Sequence, residues 1–326
     1  MKKSEIVVSV CIITYNHEKY IAQAIEGVLL QKTNFPFELI IGEDCSSDST
    51  KDICIDYQIK YPDIIKLYLP EKNKGMQRNF FETMELALGK YIALCDGDDF
   101  WTDPDKLQKQ VDALEKNQQA VLCFHPMTEL HQNGDIFPQK SSVFHRPLND
   151  RIALLNINFI STLTVVFRND SYNRALFRGV QAAMGDYILY LSLLQSPRSQ
   201  IIYLPEYMGV YRYGRPQSVS NAIPMERFHS DFIRILQYAK KLPYQWSSIE
   251  IASIYLASSR EWLNLYKSKM NRKAVFAAIR CWLMSIRCII QSKLHDTRPI
   301  EGAISMNGFL FQTKRGLSFL FQKRRS

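Results

Sequence analysis

Residues 89–101 read "GKYIALCDGDDFW", and this stretch decides the fold. Tyr91 to Cys95 form a short apolar run that passes without a break into three carboxylates, Asp96, Asp98 and Asp99. A run of that length bounded by turn residues reads as a buried strand. Like charges crowded into four residues repel, and each resists ionisation. Three of them at the tip of a buried strand therefore imply something that offsets them. A divalent cation does this, because it becomes the largest local charge and takes oxygen ligands, often one or two carboxylates plus substrate phosphates. Gly97 lets the chain turn sharply and leaves room for a bulky diphosphate. For a lone D-x-D the commoner reading is a solvated acidic turn, with Asp103 or Asp105 capping the next helix.

The surroundings of the stretch reverse those odds. Upstream, "IVVSVCIITY" (6–15), "FELIIGE" (37–43) and "IIKLYLP" (64–70) read as strands, and "AVLCFH" (120–125) follows as a fifth. Between them "KYIAQAIEGVLLQ" (19–31), "SSDSTKDICIDYQIKY", "GMQRNFFETMELAL" and "PDKLQKQVDALEKN" carry helical patterns. Ser47 or Ser49 is the candidate cap of the second helix, and Pro104 stands near the first turn of the fourth. Short strands alternating with helices of a dozen residues mean βαβ units and a mostly parallel sheet flanked by helices. Ligands in such sheets bind at the carboxyl ends of the strands. Three polar turns fall on that rim: "YNHE", "EDCSSDST" and "DGDD". From 126 to 224 the pattern is mixed, with a hairpin in "MTELHQNGDIF", a strand over 159–168, a helix over 185–195 and two short strands around Pro205. Beyond Met225 the chain reads as helical.

The seven cysteines (11, 45, 54, 95, 123, 281, 288) form an odd count with no C-x-x-C, which points to buried free thiols rather than a disulfide framework or zinc site. The six histidines show no metal-ligand spacing. The N-terminal apolar run reads as a first strand rather than a signal peptide, and no run of about 18 uninterrupted apolar residues suggests a spanning helix. A cytoplasmic protein is the expectation. Charge is unevenly placed: residues 225–326 hold 18 Lys and Arg against 6 Asp and Glu, and the 224 before them hold 23 against 26. A basic tail on a mildly acidic body suggests contact with something anionic.

Taken together, "VSVCIITYNHEKYIAQAIEGVLLQ", "FELIIGEDCSSDST", "NKGMQRN", "ALGKYIALCDGDD" and "PDKLQKQV" resemble the family 2 glycosyltransferases of GT-A fold, a Rossmann-like α/β architecture. The resemblance covers residues 6 to about 125 strongly and runs more loosely to about 213. It implies an inverting enzyme that moves a sugar from a nucleoside-diphosphate sugar, a UDP-sugar first among them, to an acceptor hydroxyl. It also implies a catalytic unit over 1–224, with a nucleotide-binding half (1–125) and an acceptor half (126–224), followed by a helical basic extension over 225–326.

Roles implied by the resemblance follow the motifs. Thr14, Tyr15 and Asn16 stand in the first nucleotide turn, where an aromatic can stack on the base; packing of the strand's end is the plainer role for Tyr15. Glu43 and Asp44 stand where the family usually has two aspartates, and Asp44 would accept hydrogen bonds from the base or ribose. Arg78 reads equally as a cation near the diphosphate or a surface arginine. Asp96 and Asp98 match the D-x-D. Asp98 would hold a Mg²⁺ or Mn²⁺ that bridges both phosphates, Asp96 would contact the ribose or donor sugar, and Asp99 would help through water. Asp186, in "MGDYILYL", matches the catalytic base, although Gly185 replaces the usual Glu and an N-cap role is the plainer alternative. Ser161 and Thr162 begin the acceptor side. "GVYRYGRPQSVS" departs from the family's Tyr-Arg-x-His loop, carrying Tyr213, Gly214 and Arg215 and no His.

The expected partners are the nucleotide-sugar donor, a glycan or lipid-linked glycan acceptor of a bacterial surface polysaccharide, and an anionic membrane surface that meets the basic extension, with no nucleic acid among them. The extension's segments 272–294 and 308–326 mix Phe, Trp and Leu with Lys and Arg, as a helix lying in a membrane interface would, peripheral on the inner face. A helical pair packed on the catalytic unit is the competing reading for 272–294. A nucleotidyltransferase would need a Gly-rich basic loop after the first strand, and "TYNHEKY" is neither. A phosphoaspartate phosphatase wants Thr or Val at Phe100. A catalytically silent binding protein of the same fold stays open, because the Glu before Asp186 is missing.

Overall fold

A computed structural model of the chain describes residues 5–139, 158–169, 184–194, 198–215, 224–241, 246–269 and 272–295, with isolated positions between them. Strands β1 (Val8–Thr14), β2 (Phe37–Glu43), β3 (Ile65–Tyr68) and β4 (Tyr91–Asp96) alternate with helices α1 (Ile21–Leu29), α2 (Thr50–Lys60) and α3 (Met76–Glu85). A two-residue strand β5 (Phe100–Trp101), helix α4 (Lys106–Lys116) and β6 (Ala120–Phe124) follow. The hairpin of β7 (Thr128–Leu130) and β8 (Ile136–Pro138) turns at Gly134, whose φ of 89° is a conformation that favours glycine. After it come β9 (Val166–Arg168), α5 (Gly185–Leu193), β10 (Gln200–Tyr203), β11 (Gly209–Arg212) and three helices, α6 (Met225–Lys241), α7 (Ser248–Lys269) and α8 (Arg272–His295).

The main sheet has seven strands in the order β10-β6-β9-β4-β1-β2-β3. All its pairs are parallel except those of β9, which runs antiparallel to β4 and β6. Successive residues of a strand point to opposite faces, and the burial follows that period. Cys11, Ile40, Ile92 and Leu94 pack into one core with α3, α5 and α6. Their neighbours Val8, Val10, Ile12, Leu39, Ile41, Tyr91, Ala93 and Cys95 pack into the other with α1 and α4. A sheet covered on both faces explains why these strands read as continuous apolar runs. The chain leaves β1 for β2 on one side and later returns to β4 on the other, so the crevice between these carboxyl ends is the switch point of the sheet. A smaller sheet, β5-β11-β7-β8, closes over that end.

Two local expectations are corrected. The segment 159–168 is not one strand: a 3-10 turn occupies Thr162–Thr164, and only Val166–Arg168 pairs. The Thr164 hydroxyl donates to the Ser161 carbonyl at 2.7 Å, a local bond that competes with the ladder. Neither Ser47 nor Ser49 caps α2 through its side chain. Asp48 does that work, accepting the Thr50 N–H at 3.0 Å, while the Ser47 N–H and hydroxyl turn to Asn16. All seven cysteines are free, with Cys11, Cys54, Cys95 and Cys123 buried.

Helix α7 lies between α6 and α8. The outward face of α8 carries Phe276, Ile279 and Leu283, 74%, 39% and 55% exposed, beside Arg280 and Arg287. The helix has five basic residues and no acidic one. Segment 308–326 and the "SVS" at 218–220 lie outside the described residues. No described helix is long and apolar enough to cross a membrane.

Candidate active site

The rim is built from strands that stop in step. Ile13 sits opposite Asp96 and Thr14 opposite Glu43, so the three polar turns leave the sheet at one level. The first two are laced together. Asn16, at a φ of 55°, accepts the Ser47 N–H at 2.8 Å, and its own N–H donates to the Ser46 hydroxyl at 2.9 Å. The His17 N–H reaches the Thr50 hydroxyl at 2.8 Å. Glu43, buried, accepts the Ser46 N–H at 2.7 Å. Asp44, also buried, holds the loop before α3, its two oxygens accepting the N–H groups of Lys74 and Gly75 at 2.7 and 2.8 Å. Glu43 and Asp44 thus shape the crevice through the backbone. Tyr15 is 45% exposed, its ring open to a planar ligand. Arg78 is exposed on α3 and pairs with Glu82 at 2.6 Å.

The third turn divides its carboxylates. Asp96 ends β4 half-buried, and burial together with the charge of Asp186 pushes its carboxyl up to about 7. Asp186 sits in the first turn of α5, accepts the Tyr187 N–H at 2.8 Å and the Asn158 amide at 3.3 Å, and is itself shifted upward by burial. The structure thus brings Asp96, the first carboxylate of the D-x-D, within reach of the charge of the candidate base. Ser161 and Thr162 lie at the 3-10 turn, and Thr162 hydrogen-bonds Asp186. Asp98 forms an ion pair with Arg215, with the His17 Nε2 4.0 Å from its Oδ2. Asp99 is buried and turned away, accepting the Arg212 N–H at 2.9 Å. Gly97 lets this turn close down: a Cβ there would stand 2.7 Å from the Thr14 side chain and 3.0 Å from His17 Nδ1.

Several residues here carried no signal of their own. Burial first, then the Arg215 charge, hold the His17 imidazole down to about 4, so it is neutral near pH 7. Arg212 on β11 donates to the Asp98 carbonyl and to Gln23, and lies over the rings of Phe100 and Tyr20 at 4.6 and 4.9 Å. Arg215 lies over the same Tyr20 ring at 4.9 Å. Together Arg215, Asn16, Tyr20, Lys19 and Asp48 line a polar cleft of about 410 Å³. The "YRYGR" spacing hints at these cations, but nothing in it says that they fold back onto the D-x-D.

The donor set fits a hard divalent cation. Asp96 and Asp98 offer oxygens on one turn. Asp96 is pushed up to about 7 by burial first and then by the charge of Asp186, with Arg215 offsetting only part of it. It is a carboxylate that a further cation would favour in its ionised form. Among the described residues no group of three or more His, Cys, Asp or Glu could complete a protein-only cage.

Comparison with known proteins gives the family. The family model "Glycosyl transferase family 2" matches residues 9–174, half of the chain. An uncharacterised Mycobacterium tuberculosis protein is 39% identical over 208 residues, 63% of this chain and 58% of its own length. The chain thus spans little more than half of that relative. Bacillus subtilis TuaG, named as a teichuronic acid biosynthesis glycosyltransferase, is 38% identical over 190 residues, 58% of this chain and 72% of TuaG. In fold, the chain is similar to Staphylococcus aureus TarS 1–349 in complex with UDP-GlcNAc, at a TM-score of 0.62 and 20% identity over 87% of this chain and 82% of that one. It is also similar to the Pyrobaculum calidifontis mannosyltransferase PcManGT in complex with GDP-Man and Mn²⁺, at 0.55 and 14% over 99% and 86%. The sheet is therefore that of a GT-A fold, and the chain belongs to the family 2 glycosyltransferases.

Proposed function

We infer that the chain transfers a sugar, with inversion, from a nucleoside-diphosphate sugar to a glycan or lipid-linked glycan hydroxyl in bacterial surface polysaccharide synthesis. The observation that carries this reading is the closeness of Asp96, at the carboxyl end of β4, to Asp186 of α5 at the switch point of the sheet, with Asp98 two residues on in the same turn. Neighbours in fold that bind UDP-GlcNAc and GDP-Man, and a relative named for teichuronic acid, support donor and product classes. Residues 1–224 form the catalytic unit in this reading, with 126–224 as its acceptor half.

In the reaction, the acceptor oxygen attacks the anomeric carbon from the face opposite the diphosphate. The carbon–oxygen bond to the phosphate breaks, and the acceptor proton passes to an Asp186 oxygen. Asp186 suits this role: burial raises its proton affinity above that of an ordinary carboxylate, and hydrogen bonds from Asn158 and Tyr187 fix its orientation. Tyr15 and Asn16 with Asp44 hold the nucleoside, and Asp96 the ribose or sugar. Asp98, with Asp96, would hold a Mg²⁺ or Mn²⁺. When bound, such an ion neutralises the charge that builds on the leaving diphosphate.

The basic extension, 225–326, meets an anionic membrane in this reading. The outward row of Phe276, Ile279 and Leu283 beside Arg280 and Arg287 supports it, and the protein would then be peripheral on the cytoplasmic face. Incubation with a panel of UDP-, GDP- and dTDP-sugars and Mn²⁺ tests the chemistry. Slow hydrolysis of one donor is expected, and inertness toward every one overturns the reading.

A further inference from the structure

Arg215 occupies the carboxylate that the donor's cation would need. Its guanidinium pairs with the Asp98 side chain, and both groups are largely buried, at 7% and 15% side-chain exposure. The same guanidinium borders the polar cleft and lies over Tyr20, whose neighbours Asn16, Lys19 and Asp48 belong to the first two turns. One Asp98 carboxylate cannot hold a guanidinium fork and a divalent ion in the same direction.

The loop holds its two arginines differently, Arg215 through contacts that include the side chains of Asp98 and Tyr20. Arg212 is tied down at four points: its N–H to Asp99, its guanidinium to the Asp98 carbonyl and to Gln23, and its face against Phe100. Gly214 follows at a φ of 79°, with no atom closer than 4.0 Å to where a Cβ would stand. Its carbonyl accepts the Gln132 side-chain amide, and it stands between the anchored Arg212 and Arg215 in a conformation that favours glycine.

Resting on the glycosyltransferase reading, we propose that Arg215 is an exchangeable counter-ion: it neutralises Asp98 in the donor-free protein and moves onto the donor's diphosphate when the divalent ion takes Asp98. The exchange leaves neither anion without a cation. Asp98 is never left in a buried site without a cation, and the diphosphate gains a planar fork of donors that matches its oxygens. The family loop's His is absent here, and the loop carries instead a permanent cation that commutes between two anions.

The role has a signature that simple structural support lacks, because removing Arg215 acts oppositely on two ligands. Mn²⁺ binding is measured by electron paramagnetic resonance on the nucleotide-free protein, and binding of UDP, GDP and dTDP with saturating Mn²⁺ by calorimetry. Arg215→Gln is expected to tighten Mn²⁺ alone and to weaken the preferred diphosphate, each by about tenfold, the scale of one charge-assisted hydrogen bond. Arg215→Lys keeps the charge without the fork, and should restore most of the wild-type Mn²⁺ affinity but little of the diphosphate affinity. Weakening of both ligands together, or a change in neither, overturns the exchange while leaving the glycosyltransferase reading intact. Wild-type protein that takes up none of the three diphosphates overturns both.

Discussion

Asp99 accepts the backbone N–H of Arg212 at 2.9 Å, across 113 residues of sequence, and so pins β11 to the turn that carries the D-x-D. Asp99 is 1% exposed, and burial holds its carboxyl well above the usual carboxylate range. The three carboxylates of one turn therefore do three jobs. Asp96 lies within reach of the Asp186 charge, Asp98 pairs with Arg215, and Asp99 is a fastener.

Asp99→Ala leaves the Arg212 N–H buried without its acceptor and should cost about 1–3 kcal/mol of stability. Asp99→Asn, which keeps an acceptor oxygen, should recover most of that. Denaturant melts of the two variants decide, and equal losses would show that the bond is incidental.

Asp186→Asn keeps an acceptor for the Tyr187 N–H but removes the charge. Single-turnover transfer should fall by about 10²–10⁴, with donor affinity by calorimetry nearly unchanged. Normal transfer, or loss of donor binding in step with turnover, would make Asp186 a cap or donor contact.

Asp96 makes stability depend on pH in a direction set by its raised carboxyl. Its folded value of about 7 lies above the 3.8 of an unperturbed aspartate. The folded state therefore holds the proton more tightly than the unfolded state. Its contribution is fully present below pH 4 and is lost as pH rises through 7. Asp96→Asn should raise the melting temperature of the metal-free protein at pH 8 and leave it unchanged at pH 4. A uniform shift at both would remove the titration from the account.

Gly97→Ala places a methyl 2.7 Å from the Thr14 Cβ and Oγ1. Overpacking of this kind costs about 1–3 kcal/mol, and here it falls between two turns of the rim. Loss of donor binding beyond the loss of stability is expected, measured by calorimetry at a temperature where the variant is folded.

Phe276→Ser with Leu283→Ser should reduce sedimentation with anionic liposomes, and added salt should reduce it further, since each basic residue near such a surface contributes about 1 kcal/mol. Truncation after residue 307 should reduce it too. Unchanged binding in both would place the basic extension against another partner.

The nucleotide-binding half was legible in the sequence because period and punctuation agree there. Apolar runs such as Tyr91 to Cys95 end at charged turns, and every strand buried on both faces announces itself by composition. The strand misread over 159–168 failed because Thr164 satisfies its local carbonyl with its own hydroxyl, which no periodicity records. In the site, Asp96, Asp98 and Asp186 were legible as residues and as neighbours by motif. Arg212 and His17 were not, since their places depend on contacts such as Arg212 to Gln23, 189 positions apart. Asp44 shows a further limit: its type and position say nothing of the bonds it makes to Lys74 and Gly75, which hold the loop before α3.

The even stop of β1, β2 and β4 works as a ruler. Ile13 lies opposite Asp96 only because Val8 and Tyr91 start level, five rungs earlier. Side chains alternate with every residue, so one residue inserted between 91 and 95 would exchange the faces of everything after it. The motif "DGDD" would still be present, letter for letter, and its carboxylates would be aimed elsewhere. A search for relatives that scores the motif alone would accept such a chain; one that counts residues from Gly89 to Asp96 would reject it.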